Sequence, residues 1–210
     1  MILIGQYDSP FVRRAGIAMT LYGMAFEHKT WSTFGDWPQI ASYNPLLRVP
    51  TLILDDGDVL IESAAILDYL DHIVGEDRAM FPAIEPQRHR ALKVASLAMG
   101  AAEKGVAMFY EQRLHQASTT SAVWIERCQR QIKGALAELE QAATKRLGEY
   151  IGGDRIGHAD IAVACAIRLI ADAHIGLVNM AHYPALAAHC AKLEAMPVFQ
   201  SISQPFTPSA

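Results

Sequence analysis

The stretch from Asn44 to Leu70, N-P-L-L-R-V-P-T-L-I-L-D-D-G-D-V-L-I-E-S-A-A-I-L-D-Y-L, constrains the fold more than any other. Asn44-Pro45 marks a turn. Thr51 to Leu54 is a short apolar run, Asp56-Gly57 is a hairpin dipeptide, and Val59 to Ile61 reads as the returning strand. Glu62-Ser63 then opens a helix with Ser63 as its N-cap. Ile66, Leu67, Leu70, Ile73 and Val74 repeat at the helical period, so one face of that helix is buried. Pro50 directly before a strand cannot donate to a ladder and belongs at its first residue or at an edge. A cis Val49–Pro50 bond there would turn the chain and leave the Val49 N–H and C=O free to pair with an extended peptide ligand.

Upstream, Ile2 to Ile4 is a short strand, and Ser9-Pro10 starts a helix, with serine at the N-cap and proline in the first turn. Apolar residues from Phe11 to Leu21 carry that helix to Gly23; Phe26 to Trp31 reads as a second strand and Asp36 to Ser42 as a short irregular helix. The order is β-α-β-α-β-β-α, that of a thioredoxin-like α/β domain. Helical connections imply parallel neighbours, whereas the Asp56-Gly57 hairpin is antiparallel. Prolines at 82 and 86 interrupt the pattern, which puts domains at residues 1–78 and 87–210 with a linker over 79–86. Beyond it the chain reads as all-α, with helices over 87–115, 121–147 and about 157–173 and shorter ones opened by Pro184 and Pro197. Residues 161–167 are almost wholly apolar, which makes their helix the buried centre of the second domain. The tail Q-P-F-T-P-S-A reads as irregular.

V-P, a D-G hairpin and E-S-x-A-I-x-x-Y-L together resemble the glutathione-binding half of the glutathione S-transferase superfamily, and the resemblance extends over nearly the whole chain. It implies a cis proline at Pro50, pairing of the Val49 backbone with the cysteinyl part of glutathione, and a grip of Glu62 and Ser63 on the γ-glutamyl end. A glutamate there supplies the counter-charge for an ammonium, and a serine at a helix start supplies a hydroxyl and an N–H for a carboxylate. On their own the two residues read as an ordinary N-cap beside a solvated acid.

Conjugation needs glutathione's thiol as thiolate, although a free thiol of this type titrates near about 8.5. A hydroxyl donor and a helix N-terminus both favour the anion. S-P-F-V-R-R resembles the serine-type members, in which Ser9 would donate to the sulfur; serine in place of their relatives' cysteine points away from mixed-disulfide chemistry. On S-P alone Ser9 is a plain N-cap. Tyr7 is the rival donor, since other branches use a tyrosine from the end of the first strand, and core packing is its other role. The family often meets the glycine carboxylate with basic residues after the second strand, but no Lys, Arg or His lies between Lys29 and Arg48. Some members place a glutathione-contacting polar side chain just before the position of Val49, so the resemblance implies Arg48 for this role, with a solvated surface arginine as the alternative. The resemblance places the electrophile pocket between Ser9 and the first helices of the second domain, with Tyr7, Phe11, Met108, Tyr110 and Arg113 as candidate lining. A methionine and aromatic run on a helix is more often core.

H-A-D-I-A-V-A resembles the family's helix-start motif, but Gly157 stands where the family carries the Ser or Thr of a capping box. Asp160 reads as structural. The run Ser-Ser-Cys of maleylacetoacetate-type isomerases is absent from the first helix.

Composition narrows the rest. Cys128, Cys165 and Cys190 fall in separate helices, which suits reduced buried thiols, and the histidines show no metal-ligand spacing, so no metal is expected. A net charge of −4 argues against a nucleic-acid partner. No apolar run is long enough to cross a membrane, and the start M-I-L-I-G-Q-Y lacks a basic region and a cleavage site, so the expected location is the cytoplasm. Residues 1–80 hold 11 acids against 5 bases (net −6) and residues 81–210 hold 11 against 13 (net +2). That asymmetry, with the family's habit, implies a two-fold homodimer pairing each acidic half with a basic one. The expected protein is a detoxifying glutathione transferase acting on a small, partly apolar electrophile; the rival is a non-catalytic module of the same fold that binds a ligand or a protein.

Overall fold

The computed structural model describes residues 1–206 and divides the chain into two compact units, Met1–Ala83 with the segment from Ala195 onward, and Ile84–Glu194. In the first, strands β1 (Ile2–Ile4), β2 (Glu27–Lys29), β3 (Thr51–Ile53) and β4 (Val59–Ile61) form one sheet of order β2-β1-β3-β4. β1 and β2 are parallel, as a helical crossover requires, while β1–β3 and β3–β4 are antiparallel. Helices α1 (Pro10–Leu21), α2 (Trp37–Ala41) and α3 (Ser63–Val74) complete the thioredoxin-like β-α-β-α-β-β-α unit. Each strand is three residues long, and β2, the polar run Glu27-His28-Lys29, is shorter than the 26–31 span suggested by its sequence. Ile4, Ile40 and Ile53 form a buried cluster against which Ile2, Trp31 and Val49 pack.

Gly5 sits at the end of β1 with φ +127°, and a Cβ built there would meet Val12 Cγ2 at 2.5 Å and Val49 Cβ at 2.7 Å. Only glycine suits that position. It draws the first turns of α1 and the residue before Pro50 against the same strand end.

The end of α3 is tied to the segment that follows. Asp71 accepts from the Tyr22 hydroxyl and from the N–H of Phe81 (3.0 Å), and the Met80 N–H donates to the Tyr22 oxygen at 2.9 Å. Met80 and Phe81 are buried. The sequence reading treated 79–86 as linker; hydrogen bonding and burial carry the first unit to Ala83. The last segment also groups with this unit. Buried Arg13 donates to the carbonyls of Ile202 (2.9 Å) and Phe199 (2.8 Å), and Phe199 is fully buried. Sequence pattern assigned 87–210 wholesale to the helical domain because nothing in α8 (Pro197–Ser201) announces which unit covers it. Residues 203–206 are irregular; the rest of the expected irregular tail, 207–210, lies outside the described residues.

The second unit is helical: α4 (Gln87–Leu114), α5 (Ala122–Thr144), α6 (His158–Ala173) and α7 (Pro184–Glu194), with one 3-10 turn at Met180–His182. α6 is its core, buried over 12 of its 16 residues, and α4 packs on both α5 and α6. Asp160 fixes the start of α6. Its two carboxylate oxygens accept from the N–H groups of Ile151 (3.0 Å) and Gly157 (2.9 Å). Buried His189 Nε2 stands 3.0 Å from Asp160 Oδ1, at ion-pair distance but outside hydrogen-bond geometry. No helix among the described residues is long and apolar enough to cross a membrane.

Candidate functional site

Ser9 caps α1 with extended geometry, φ −71° and ψ 122°. Its Oγ accepts from the Val12 N–H at 3.5 Å, the long limit for such a bond. This contact uses an oxygen lone pair and leaves the hydroxyl proton available to donate. Capping and donation to a thiolate are therefore compatible. No acidic side chain occupies the first turn of α1, and Asp8 directly precedes the cap.

Tyr7 is placed differently from a donor. It is buried, its ring stacks on His28 at 3.9 Å with a 17° interplanar angle, and it packs against Gly16, whose added Cβ would meet Tyr7 Cε1 at 2.8 Å. Burial pushes its phenol up to about 12. Phe11, in the first turn of α1, is half-buried.

The loop before β3 is rigidly built. Asn44, 1% exposed, donates through Nδ2 to the Arg48 carbonyl (2.9 Å) and to Thr51 Oγ1 (3.1 Å), and its Oδ1 accepts from the Leu46 N–H at 3.0 Å. The Val49–Pro50 bond is cis. A second cis bond, Glu85–Pro86, had no distinguishing sequence signal.

At the start of α3 the structure differs from the sequence reading. The N-cap is Glu62, at φ +67° and ψ 120° with no side-chain cap bond, and Ser63 is the first helical residue. Ser63 is 2% exposed, and its Oγ accepts from Arg14 Nη2 at 2.7 Å. Ser63 already lies within the helix, and its oxygen meets Arg14, a buried cation on α1. Arg48 Nη1 pairs with Glu62 Oε1 at 2.9 Å, with both side chains about half exposed (54% and 50%). The residues assigned to opposite ends of glutathione thus hold one another.

Ser9, Val49, Arg48, Glu62 and Ser63 all belong to the first unit, gathered by Gly5 and by the Arg14–Ser63 bond. Sequence reasoning missed both organisers. Gly5 follows an apolar strand with nothing to mark its close contacts, whereas two adjacent arginines in an otherwise apolar helix were a signal that Arg14 has a buried partner. In the second unit, Met108 is 2% exposed and part of the core, whereas Tyr110 and Arg113 are exposed on α4. A cavity of about 280 Å³ in that unit is lined by Gln87, Val94, Leu147 and Ile151, with Arg90 and Lys145 also at its wall. All three cysteines are buried, and burial pushes the Cys190 thiol up to about 12. Among the described residues no group of His, Cys, Asp and Glu is arranged to hold a metal.

The profile of the glutathione S-transferase N-terminal domain matches residues 3–78, and that of the C-terminal domain matches residues 122–192. An uncharacterized GST-like protein of Escherichia coli, YibF, is 30% identical over 171 residues, 80% of each chain. Maleylacetoacetate isomerase of Rattus norvegicus is 27% identical over 221 residues, 99% of this chain and 95% of its own. Among solved structures, a glutathione transferase family member from Pseudomonas fluorescens with bound glutathione superposes with a TM-score of 0.86 at 30% identity, covering 98% of this chain and 99% of that one. A glutathione S-transferase of Methylobacterium radiotolerans in complex with glutathione sulfonate gives 0.85 at 29% identity, covering 100% and 98%. The chain belongs to the glutathione S-transferase superfamily.

Proposed function

We propose that the protein is a serine-type glutathione transferase that conjugates glutathione to a small, partly apolar electrophile. The observation that carries this reading is Ser9: a half-buried hydroxyl at the N-terminus of α1 whose oxygen caps the helix through a long bond while its proton remains available. In this reading the glutathione thiol gives up its proton, and the Ser9 hydroxyl and the dipole of α1 stabilise the thiolate. The sulfur lone pair forms a bond to the electrophilic carbon. In substitution the leaving group departs with its bonding pair; in addition the neighbouring carbon takes a proton. Val49 presents its backbone to the cysteinyl residue, Glu62 faces the γ-glutamyl ammonium, and the Ser63 N–H and hydroxyl face the γ-glutamyl carboxylate. Arg14 holds the Ser63 oxygen as acceptor, which leaves the serine proton to be donated. Arg48 takes the glycine carboxylate. The bound glutathione of the Pseudomonas fluorescens relative supports glutathione as the thiol.

The residues expected to meet the electrophile divide between the units: Tyr7 and Phe11 belong to the first, and Met108, Tyr110 and Arg113 to the second. A cytoplasmic homodimer completes the reading, and light scattering at micromolar concentration would return twice the 23.0 kDa chain mass. Retention on immobilised glutathione, followed by turnover with a panel of aryl halides and enones, tests the enzyme; binding without turnover of any electrophile would favour a ligand-binding module.

One observation supports a second reading. The similarity to maleylacetoacetate isomerase spans nearly the whole chain. An isomerase would add the same thiolate to a conjugated double bond, allow rotation about the resulting single bond and expel the sulfur again. Serine-proline at the start of α1 favours the transferase, and cis-to-trans conversion of maleylacetoacetate with no conjugate formed would reverse that preference.

A further inference from the structure

Arg48 and Glu62 form an ion pair at 2.9 Å with both side chains about half exposed (54% and 50%). Among the described residues, two non-glycine residues have positive φ: Leu47 at 55° and Glu62 at 67°. One is a member of this pair and the other directly precedes it. Positive φ costs free energy at such residues, and it persists where the surroundings over-determine it. The loop is held independently of the pair, because the Arg48 carbonyl accepts from Asn44 Nδ2 (2.9 Å) and Thr51 Oγ1 (3.2 Å). The ion pair is thus not what builds the loop. It joins the side chains of two residues whose backbones are fixed already.

From this arrangement we propose that Arg48 is a specificity-determining residue that works by exchange of partners. The inference rests on the reading of the site as a glutathione site. In the free protein Arg48 neutralises Glu62. A γ-glutamyl ligand brings an ammonium to Glu62 and so competes with Arg48. Glutathione also brings a glycine carboxylate, which gives the displaced guanidinium a new partner. The one old pair is replaced by two new ones, so each protein charge keeps a partner. γ-Glutamylcysteine brings the ammonium, but its terminal carboxylate sits on the cysteine, one residue (about 3.5 Å) short of the glycine position, so Arg48 is displaced without that compensation. The pair therefore selects for the tripeptide against the dipeptide, by a penalty on the shorter ligand as well as by a contact with the longer one.

The experiment is calorimetric titration of the wild-type protein and Arg48→Ala with glutathione and with γ-glutamylcysteine, under reducing conditions. Arg48→Ala keeps the carbonyl that anchors the loop, and its circular dichroism and melting temperature verify the fold. The expected result is a crossing. Arg48→Ala binds glutathione more weakly than wild type, and γ-glutamylcysteine more tightly, by about twofold to fivefold, the range of an exposed ion pair. The gain should shrink at high salt, where the pair is screened in the wild type as well. Equal or weaker binding of γ-glutamylcysteine by Arg48→Ala overturns the exchange while leaving the glutathione site intact. Failure of the wild type to bind either thiol overturns both.

Discussion

Two of the helix starts that carry an acid, those of α6 and α3, are built in opposite ways. At α6 the N-cap is Gly157, at φ −128°, where any residue fits. At α3 the N-cap is Glu62, at φ +67°, where a glycine would be easier. Asp160 is fully buried, and both its oxygens are occupied by the N–H groups of Ile151 and Gly157. The Glu62 carboxylate is half exposed, makes no cap bond, and pairs with the half-exposed side chain of Arg48. The first acid completes the fold. The second is kept in a costly conformation and left open to a competitor, as expected of a residue retained for binding.

Substitutions should separate the two starts. The largest effect is expected from Asp160→Ala, which strips two buried N–H groups of their acceptor and leaves His189 without its carboxylate. It should destabilise the protein by about 3–5 kcal/mol, read by urea denaturation. A loss below about 1 kcal/mol would mean that water replaces the carboxylate and that this start is not closed.

Glu62→Ala should leave stability nearly unchanged and weaken glutathione by about 1 kcal/mol, roughly fivefold, in a calorimetric titration; half exposure limits the value of its charge. Glu62→Gly should lose the same affinity yet gain about 1 kcal/mol of stability, because glycine relieves the positive φ. A Glu62→Gly protein less stable than wild type would show that the Arg48 pair, rather than ligand binding, explains the glutamate. Gly157→Ser should give the smallest change, a gain of about 0.3 kcal/mol from a capping hydroxyl. No change in melting temperature would mean that Asp160 alone satisfies the turn.

What could be read from the sequence follows the same division. The order of elements along the first domain, the hairpin and the helices over 10–21, 63–74 and 158–173 were legible because period, turn dipeptides and apolar runs are local signals. Asp160 was recognisable as structural from its position three residues into a helix. The pairing of Arg48 with Glu62 was not legible, since charges 14 residues apart meet only once the hairpin has formed. Arg14 escaped for the same reason: its partner Ser63 lies 49 residues away. The N-cap at Glu62, at positive φ and without a side-chain cap bond, is not the one local capping preference selects. Packing of 195–206 with the first unit likewise depends on Arg13, whose acceptors are main-chain carbonyls and leave no sequence trace.

The central claim is that Ser9 activates a bound thiol and does more than cap a helix. It is tested most directly by thiolate absorbance of the glutathione complex against pH, for wild type, Ser9→Ala and Tyr7→Phe. Wild type should titrate below the solution value, since the hydroxyl and the dipole of α1 favour the anion. Ser9→Ala should titrate close to the solution value of about 8.5, bind glutathione nearly as well, and lose about 0.5–2 kcal/mol of stability as an ordinary cap does. Tyr7→Phe should titrate as wild type, because the Tyr7 ring is buried against His28 and Gly16. Identical titrations for wild type and Ser9→Ala, or a shift confined to Tyr7→Phe, would contradict the account.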